Sequence, residues 1–103
     1  MYEEDSMHLN QKSHVPLVRD YLKVYRNKMG YSAEYLSREL DVSAVYYRQI
    51  EGGQRGKRLP IELVIKLIIL LHVEPLEFLK AEASYLSSYE ELNGIKKYKK
   101  IRW

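Results

Sequence analysis

Six residues punctuate the middle of this chain more sharply than any hydrophobic pattern does: Gly30, Ser32, Asp41, Ser43, Gly52 and Gly53. Glycine commonly ends a helix, because it takes the left-handed backbone at no steric cost. Serine commonly opens one, because its oxygen accepts a hydrogen bond from a free amide of the first turn. Ser32 therefore starts a short helix, with Glu34 placed to favour the positive end of its dipole. Leu36 and Leu40 point inward from that helix, with the small Ser37 between them. Asp41 and Val42 break it, Ser43 opens the next, and Gly52-Gly53 stops that one. Two short helices with small contact residues meet at a steep angle, and the second is left projecting.

The flanking sequence supplies the body that holds this pair. Before it, Pro16 sits where a helix can begin. Val18, Leu22, Tyr25 and Met29 then recur at spacings of three and four, which stacks them on one helical face. After it, Gln54 to Leu59 forms a basic loop ending at Pro60. A fourth helix is expected over Ile61 to about Leu71. A fifth begins near Pro75 and continues through Tyr85, Leu86 and Tyr89 to Leu92, where Asn93-Gly94 marks a turn. The expected fold class is all-α: five helices plus a C-terminal extension. The division read from the sequence is a flexible arm over 1–15, a helical domain over 16–82 and an extension with a basic tail over 83–103.

Composition limits what such a chain does. At 103 residues, 46% of them hydrophobic, it has one domain's worth of core. It has no cysteine, which removes disulfide scaffolds and cysteine-based zinc fingers and fits a reducing, cytoplasmic setting. The acidic N-terminus does not read as a signal peptide. The longest apolar run, Ile61 to Leu71, contains Glu62 and Lys66 and is well short of the roughly 20 residues a membrane helix needs, so no membrane partner is expected. His8, His14 and His72 share no metal-ligand spacing. With no Ser/His/Asp arrangement, glycine-rich phosphate loop or converging carboxylate pair, the sequence points to no enzyme, metal or cofactor.

The net charge of +3 is unevenly spread. Glu3, Glu4 and Asp5 against Lys12 make the first fifteen residues acidic. Arg55, Lys57 and Arg58 form one basic cluster, and Lys96, Lys97, Lys99, Lys100 and Arg102 form another. Two basic clusters on a small protein suggest a polyanion partner, most often nucleic acid. The projecting third helix supplies a reading face. Val45, Arg48 and Gln49 lie at i, i+3 and i+4, with Ala44 beside them, while Tyr47 and Ile50 point into the core. The outer face thus carries methyl groups, a guanidinium and an amide, groups suited to thymine, guanine and adenine edges in a major groove about 12 Å wide.

From Val18 to Leu79, about three-fifths of its length, the chain resembles the phage repressor and Cro (XRE-like) helix-turn-helix family. The matching text is Arg26…Met29-Gly30-Tyr31-Ser32, then Leu36-Ser37…Leu40-Asp41-Val42-Ser43. It continues through Tyr47…Ile50-Glu51-Gly52-Gly53 to Leu71-His72-Val73-Glu74…Phe78-Leu79. The resemblance implies a repressor-like domain that regulates transcription by binding double-stranded DNA. It implies that Ser43, Ala44, Val45 and Gln49 face bases and that Ser32 meets phosphate. Arg55, Lys57 and Arg58 fall in the loop that commonly follows the DNA backbone, and Tyr46 is expected beside that backbone. Arg26 and Glu51 take the places of a structural ion pair. Asp41 stands where the family usually has glycine. Ala44 and Val45 replace an amide-rich helix start, which favours methyl contacts and shape readout.

One helix has more apolar surface than a small core consumes. Ile65, Ile69 and Leu70 do not all fit inward from the fourth helix, so the C-terminal extension covers them, they form a homodimer interface, or both hold together. The same surface, or the extension, also suits a protein partner, as in an antitoxin built on this fold. The ten tyrosines and the basic tail lend slight support to RNA binding. Tyr21, Tyr25, Tyr31, Tyr35 and Tyr47, however, fall where packing is expected.

Overall fold

Residues 15–55 and 58–94 are described by a computed structural model. They form five helices with no strand among them: α1 (Asp20–Met29), α2 (Ala33–Leu40), α3 (Ala44–Gly52), α4 (Ile61–Leu71) and α5 (Pro75–Leu92). The expected N-terminal arm up to residue 14, Lys57 and the basic tail from residue 95 lie outside the described residues. No helix among the described residues is long and apolar enough to cross a membrane.

The helix boundaries follow local chemistry. Ser32 Oγ accepts from the Tyr35 amide and Ser43 Oγ from the Tyr46 amide, each at 3.0 Å, so one of the four free amides at each N-terminus is satisfied. Gly30 closes α1 at φ +73° and Gly53 closes α3 at φ +83°. Asp41 takes the same left-handed conformation at φ +62° to end α2. There the Val42 amide reaches back to Ser37 O at 3.0 Å and the Asp41 amide to Arg38 O at 3.1 Å, the paired bonds of a Schellman motif. His72, at φ +54°, ends α4. Pro75 occupies the first turn of α5, where its missing N–H costs nothing, and the Glu74 carboxylate caps the Glu77 amide at 2.8 Å.

The core is assembled from one stripe of each helix. Leu22, Leu36, Tyr47, Ile50, Leu67 and Phe78 are completely buried, and burying each such side chain contributes about 1.5–3 kcal/mol. On α4 the stripe is Leu63, Val64, Leu67 and Leu71, all buried, while Ile61, Ile65 and Ile69 stay exposed. On α5 it is Phe78, Glu82, Tyr85 and Tyr89, with spacings of four, three and four. This face runs unbroken past residue 82, so the division drawn there falls inside one continuous helix.

Two expectations are corrected. Helix α1 begins at Asp20, not at Pro16. Residues 15–19 instead form a non-helical strap whose backbone groups are engaged by distant elements. Leu17 O accepts from the Tyr85 hydroxyl at 2.8 Å, and the Arg19 amide donates to Glu51 O at 2.8 Å. The Asn93 side chain bonds both backbone groups of Val15. Val18 accordingly precedes the helix and stays partly exposed. The second correction concerns the extension. Its described part, up to residue 94, packs along this strap and not over Ile65 and Ile69, because Tyr85 and Asn93, like Glu82 before them, find their partners in residues 15–19.

Candidate nucleic-acid interface

The inward side of α3 is fixed more firmly than packing alone requires. Tyr47 and Ile50 are completely buried, and Glu51 is nearly so. The Glu51 carboxylate receives Arg26 Nε at 2.9 Å and Nη2 at 3.0 Å, a two-pronged ion pair from α1. It also accepts from the Tyr47 hydroxyl at 2.7 Å. Arg26 Nη1 then donates to Tyr31 O at 2.9 Å, tying in the link between α1 and α2. Arg26 and Glu51 thus join α1, α3 and the link that leads into α2.

The outward side is open. Val45 is 62% exposed, Ser43 and Arg48 are exposed, and Ala44 and Gln49 are half-buried. Arg48 is not free of partners: it pairs with Glu34 in the first turn of α2, which links the N-terminal end of α2, where Ser32 lies, to the face of α3. A base contact through Arg48 Nη2 would therefore displace that carboxylate. Gln49 Oε1 accepts from Arg55 Nε at 2.9 Å, so the first cation of the basic loop is folded back onto α3. The Arg55 guanidinium also stands over the Tyr46 ring, 5.8 Å from its centroid. Tyr46 itself is half-buried against the core. Arg58 leans the other way and pairs with Glu90 of α5 at 3.5 Å.

The face thus brings together Ser43, Ala44, Val45, Arg48, Gln49, Tyr46 and Arg55, with Ser32 joined through the Arg48–Glu34 pair. Ile65 and Ile69 lie apart, on the outer face of α4. Leu70, grouped with them from the sequence, turns toward the core instead. The reason is helical register: Leu63, Leu67 and Leu70 fall at i, i+4 and i+7, the inward stripe of α4.

Read from the sequence, Arg19 and Glu82 received no role, and Tyr21 and Tyr85 only a packing one. Arg19 is completely buried and Glu82 is 7% exposed. Arg19 Nε and Nη2 meet the two Glu82 oxygens at 3.0 and 2.9 Å. Tyr21 also donates its hydroxyl to Glu82, and the Tyr85 ring lies 4.2 Å from the Arg19 guanidinium. A signal was present. Glu82 stands on the same helical stripe as Phe78 and Tyr85, and a carboxylate at a core position requires a cation beside it.

These networks shift the tyrosines. Burial, reinforced by the adjacent carboxylate, pushes the phenols of Tyr21 and Tyr47 well above their ordinary value of 10.0. A group that holds its proton more tightly when folded stabilises the fold below its unfolded pKa, and that stabilisation is lost as pH rises past it. Stability against urea is therefore expected to hold up to about pH 10 and to fall above it. Absorbance of phenolate should show Tyr21 and Tyr47 ionising only as the chain unfolds. Ionisation of all ten tyrosines in one step near pH 10, with the fold intact, would contradict this.

Comparison with known proteins agrees with the geometry. The helix-turn-helix family model matches residues 22–78, from the inward leucine of α1 to the buried phenylalanine of α5. The chain belongs to the XRE-type helix-turn-helix family. It is accordingly a DNA-binding transcription regulator. No curated protein and no solved structure gives a significant match. The matched span contains α2 and α3 and both members of the Arg26–Glu51 pair. The strap at residues 15–19 and α5 from residue 79 onward lie outside the matched span.

Proposed function

We propose that this regulator is a sequence-specific cytoplasmic repressor that lays α3 in the major groove of duplex DNA as a symmetric dimer. The observation that carries the reading is the contrast between the two sides of α3. Its inner side is anchored by Tyr47, Ile50 and Glu51, and its outer side presents Ser43, Ala44, Val45, Arg48 and Gln49. Methyl groups of Ala44 and Val45 suit thymine, Arg48 suits guanine once it leaves Glu34, and Gln49 suits adenine. Ser32 and the free amides at the start of α2 suit a phosphate, as do Tyr46, Arg55, Lys57 and Arg58. The dimer reading is supported by Ile65 and Ile69, which are 51% and 63% exposed on one side of α4 with Ile61 in register. A two-fold pair of such domains reads half-sites about one DNA turn apart.

Selection of bound fragments from random duplexes tests this reading, and a palindromic motif is the result a dimer gives. Arg48→Ala with Gln49→Ala is then expected to lower discrimination at the contacted base pairs by about 1–3 kcal/mol each. Binding should weaken with salt by about 0.9 in log K per log salt for each phosphate neutralised. Full affinity and discrimination in the double variant would remove α3's outer side from the recognition surface. The exposed isoleucines of α4 also favour a second reading, a protein-interaction module such as an antitoxin. Retention of a protein partner with no duplex bound at moderate salt would decide for it.

A further inference from the structure

The C-terminal turn of α3 is gripped twice, and only one grip comes from the helix-turn-helix pattern. The first is the Arg26–Glu51 pair, which takes hold of a side chain. The second takes hold of the backbone. Arg19 Nη1 donates to Ile50 O at 2.8 Å, and the Arg19 amide donates to Glu51 O, also at 2.8 Å. These carbonyls belong to the last turn of α3, where helix oxygens lack helical partners and the dipole favours a positive charge. Arg19 is in turn aimed by α5: the two Glu82 oxygens hold its Nε and Nη2, and the Tyr85 ring lies against its face. Tyr85 is itself held in place by its bond to Leu17 O.

Resting on the DNA-binding reading above, we propose that Arg19, oriented by Glu82 and Tyr85, is a positioning residue that determines DNA specificity without touching DNA. Through it the part of α5 beyond residue 78 sets the angle at which α3 meets the groove. Base contacts tolerate displacements of only about 0.5 Å or 10–20°. Contacts from long lysine and arginine side chains to phosphates are far more forgiving. Loosening the C-terminal end of α3 therefore weakens specific binding and leaves non-specific binding almost as it was. This is a different outcome from general destabilisation, which lowers the melting temperature but leaves a folded molecule reading DNA as before.

Removing one member of a buried ion pair risks unfolding the chain, because it strands the other charge. The test therefore uses Arg19→Met with Glu82→Leu, an apolar replacement of the whole pair, alongside Glu82→Gln, which keeps the shape and neutralises the acid. Each full-length variant is checked for helicity and melting, then titrated well below its melting temperature. The two duplexes are the fragment selected by the native chain and a scrambled duplex of equal length. We expect the ratio of specific to non-specific affinity to fall roughly tenfold or more in a folded variant. The non-specific affinity and its salt slope should stay within about twofold of native. An unchanged ratio in the folded double variant overturns the proposal, and so does an equal loss on both duplexes. A native chain that shows no preference among duplexes overturns the DNA-binding reading itself, and is distinguished because the failure appears before any substitution is made.

Discussion

Gly53→Ala is expected to leave the chain largely unfolded in moderate urea, with a loss of about 4–5 kcal/mol. Two separate costs meet at this position. Gly53 has φ +83°, and an L side chain in that conformation is strained by about 1–2 kcal/mol. A Cβ there would also lie 2.1 Å from Leu17 O and 2.6 Å from Leu17 C, both backbone atoms. The strap must move away, and moving it breaks the Tyr85–Leu17 and Arg19–Glu51 bonds, each contributing about 1 kcal/mol, and disturbs the buried Arg19. Gly30→Ala provides the control. Its φ is +73°, but nothing lies within 4 Å of its added Cβ, so only the backbone strain should appear. Equal losses for the two substitutions in urea unfolding would show that the close approach of the strap to α3 is not there.

Phe78→Ala should cost about 3–5 kcal/mol. Phe78 is completely buried where α1 and α5 meet. Its ring is edge-on to Tyr21 at 5.5 Å and near-parallel to Tyr25 at 6.2 Å. Truncation therefore leaves a cavity and removes two ring contacts that add to the area buried. The neighbouring Leu76 and Leu79 are 55% and 46% exposed, and alanine at either should change stability by no more than about 0.5 kcal/mol. Melting and urea midpoints of the three variants check both statements. A loss at Phe78 no larger than at Leu79 would mean that α5 does not pack through this ring.

The contrast between these positions explains how much was legible beforehand. Ser32, Asp41, Ser43, Gly53 and Pro75 act on backbone groups within a few residues of themselves, so their residue types announce where helices start and stop. The inward faces of α2, α3 and α4 were legible for a similar reason, since helical spacing sorts leucines and tyrosines by side. Residues 15–19 were not legible. Their conformation is decided by Tyr85, Glu82 and Asn93, more than 60 positions away, and Pro16 read locally suggests a helix start. Which residues share the outward side of α3 was legible, and their wiring less so. That Arg48 reaches Glu34, and Arg55 reaches Gln49, depends on how α2, α3 and the loop are set against one another. Leu70 shows the limit of counting apolar residues: the excess on α4 was real, but register, not number, decides which of them face outward.

The strap also bears on how the protein is made. Arg19 meets Glu82, and Val15 meets Asn93, across 63 and 78 positions of chain. A ribosome adds about 5–20 residues per second. Helices α1, α2 and α3 have therefore all been synthesised before the carboxylate and aromatic ring that enclose the Arg19 guanidinium exist. During that interval the guanidinium has neither of the α5 groups that later compensate its burial, and a charge without such compensation is strongly held by water. The nascent chain can form the motif's two helices early, but the native end of α3 is completed only after α5 has been translated.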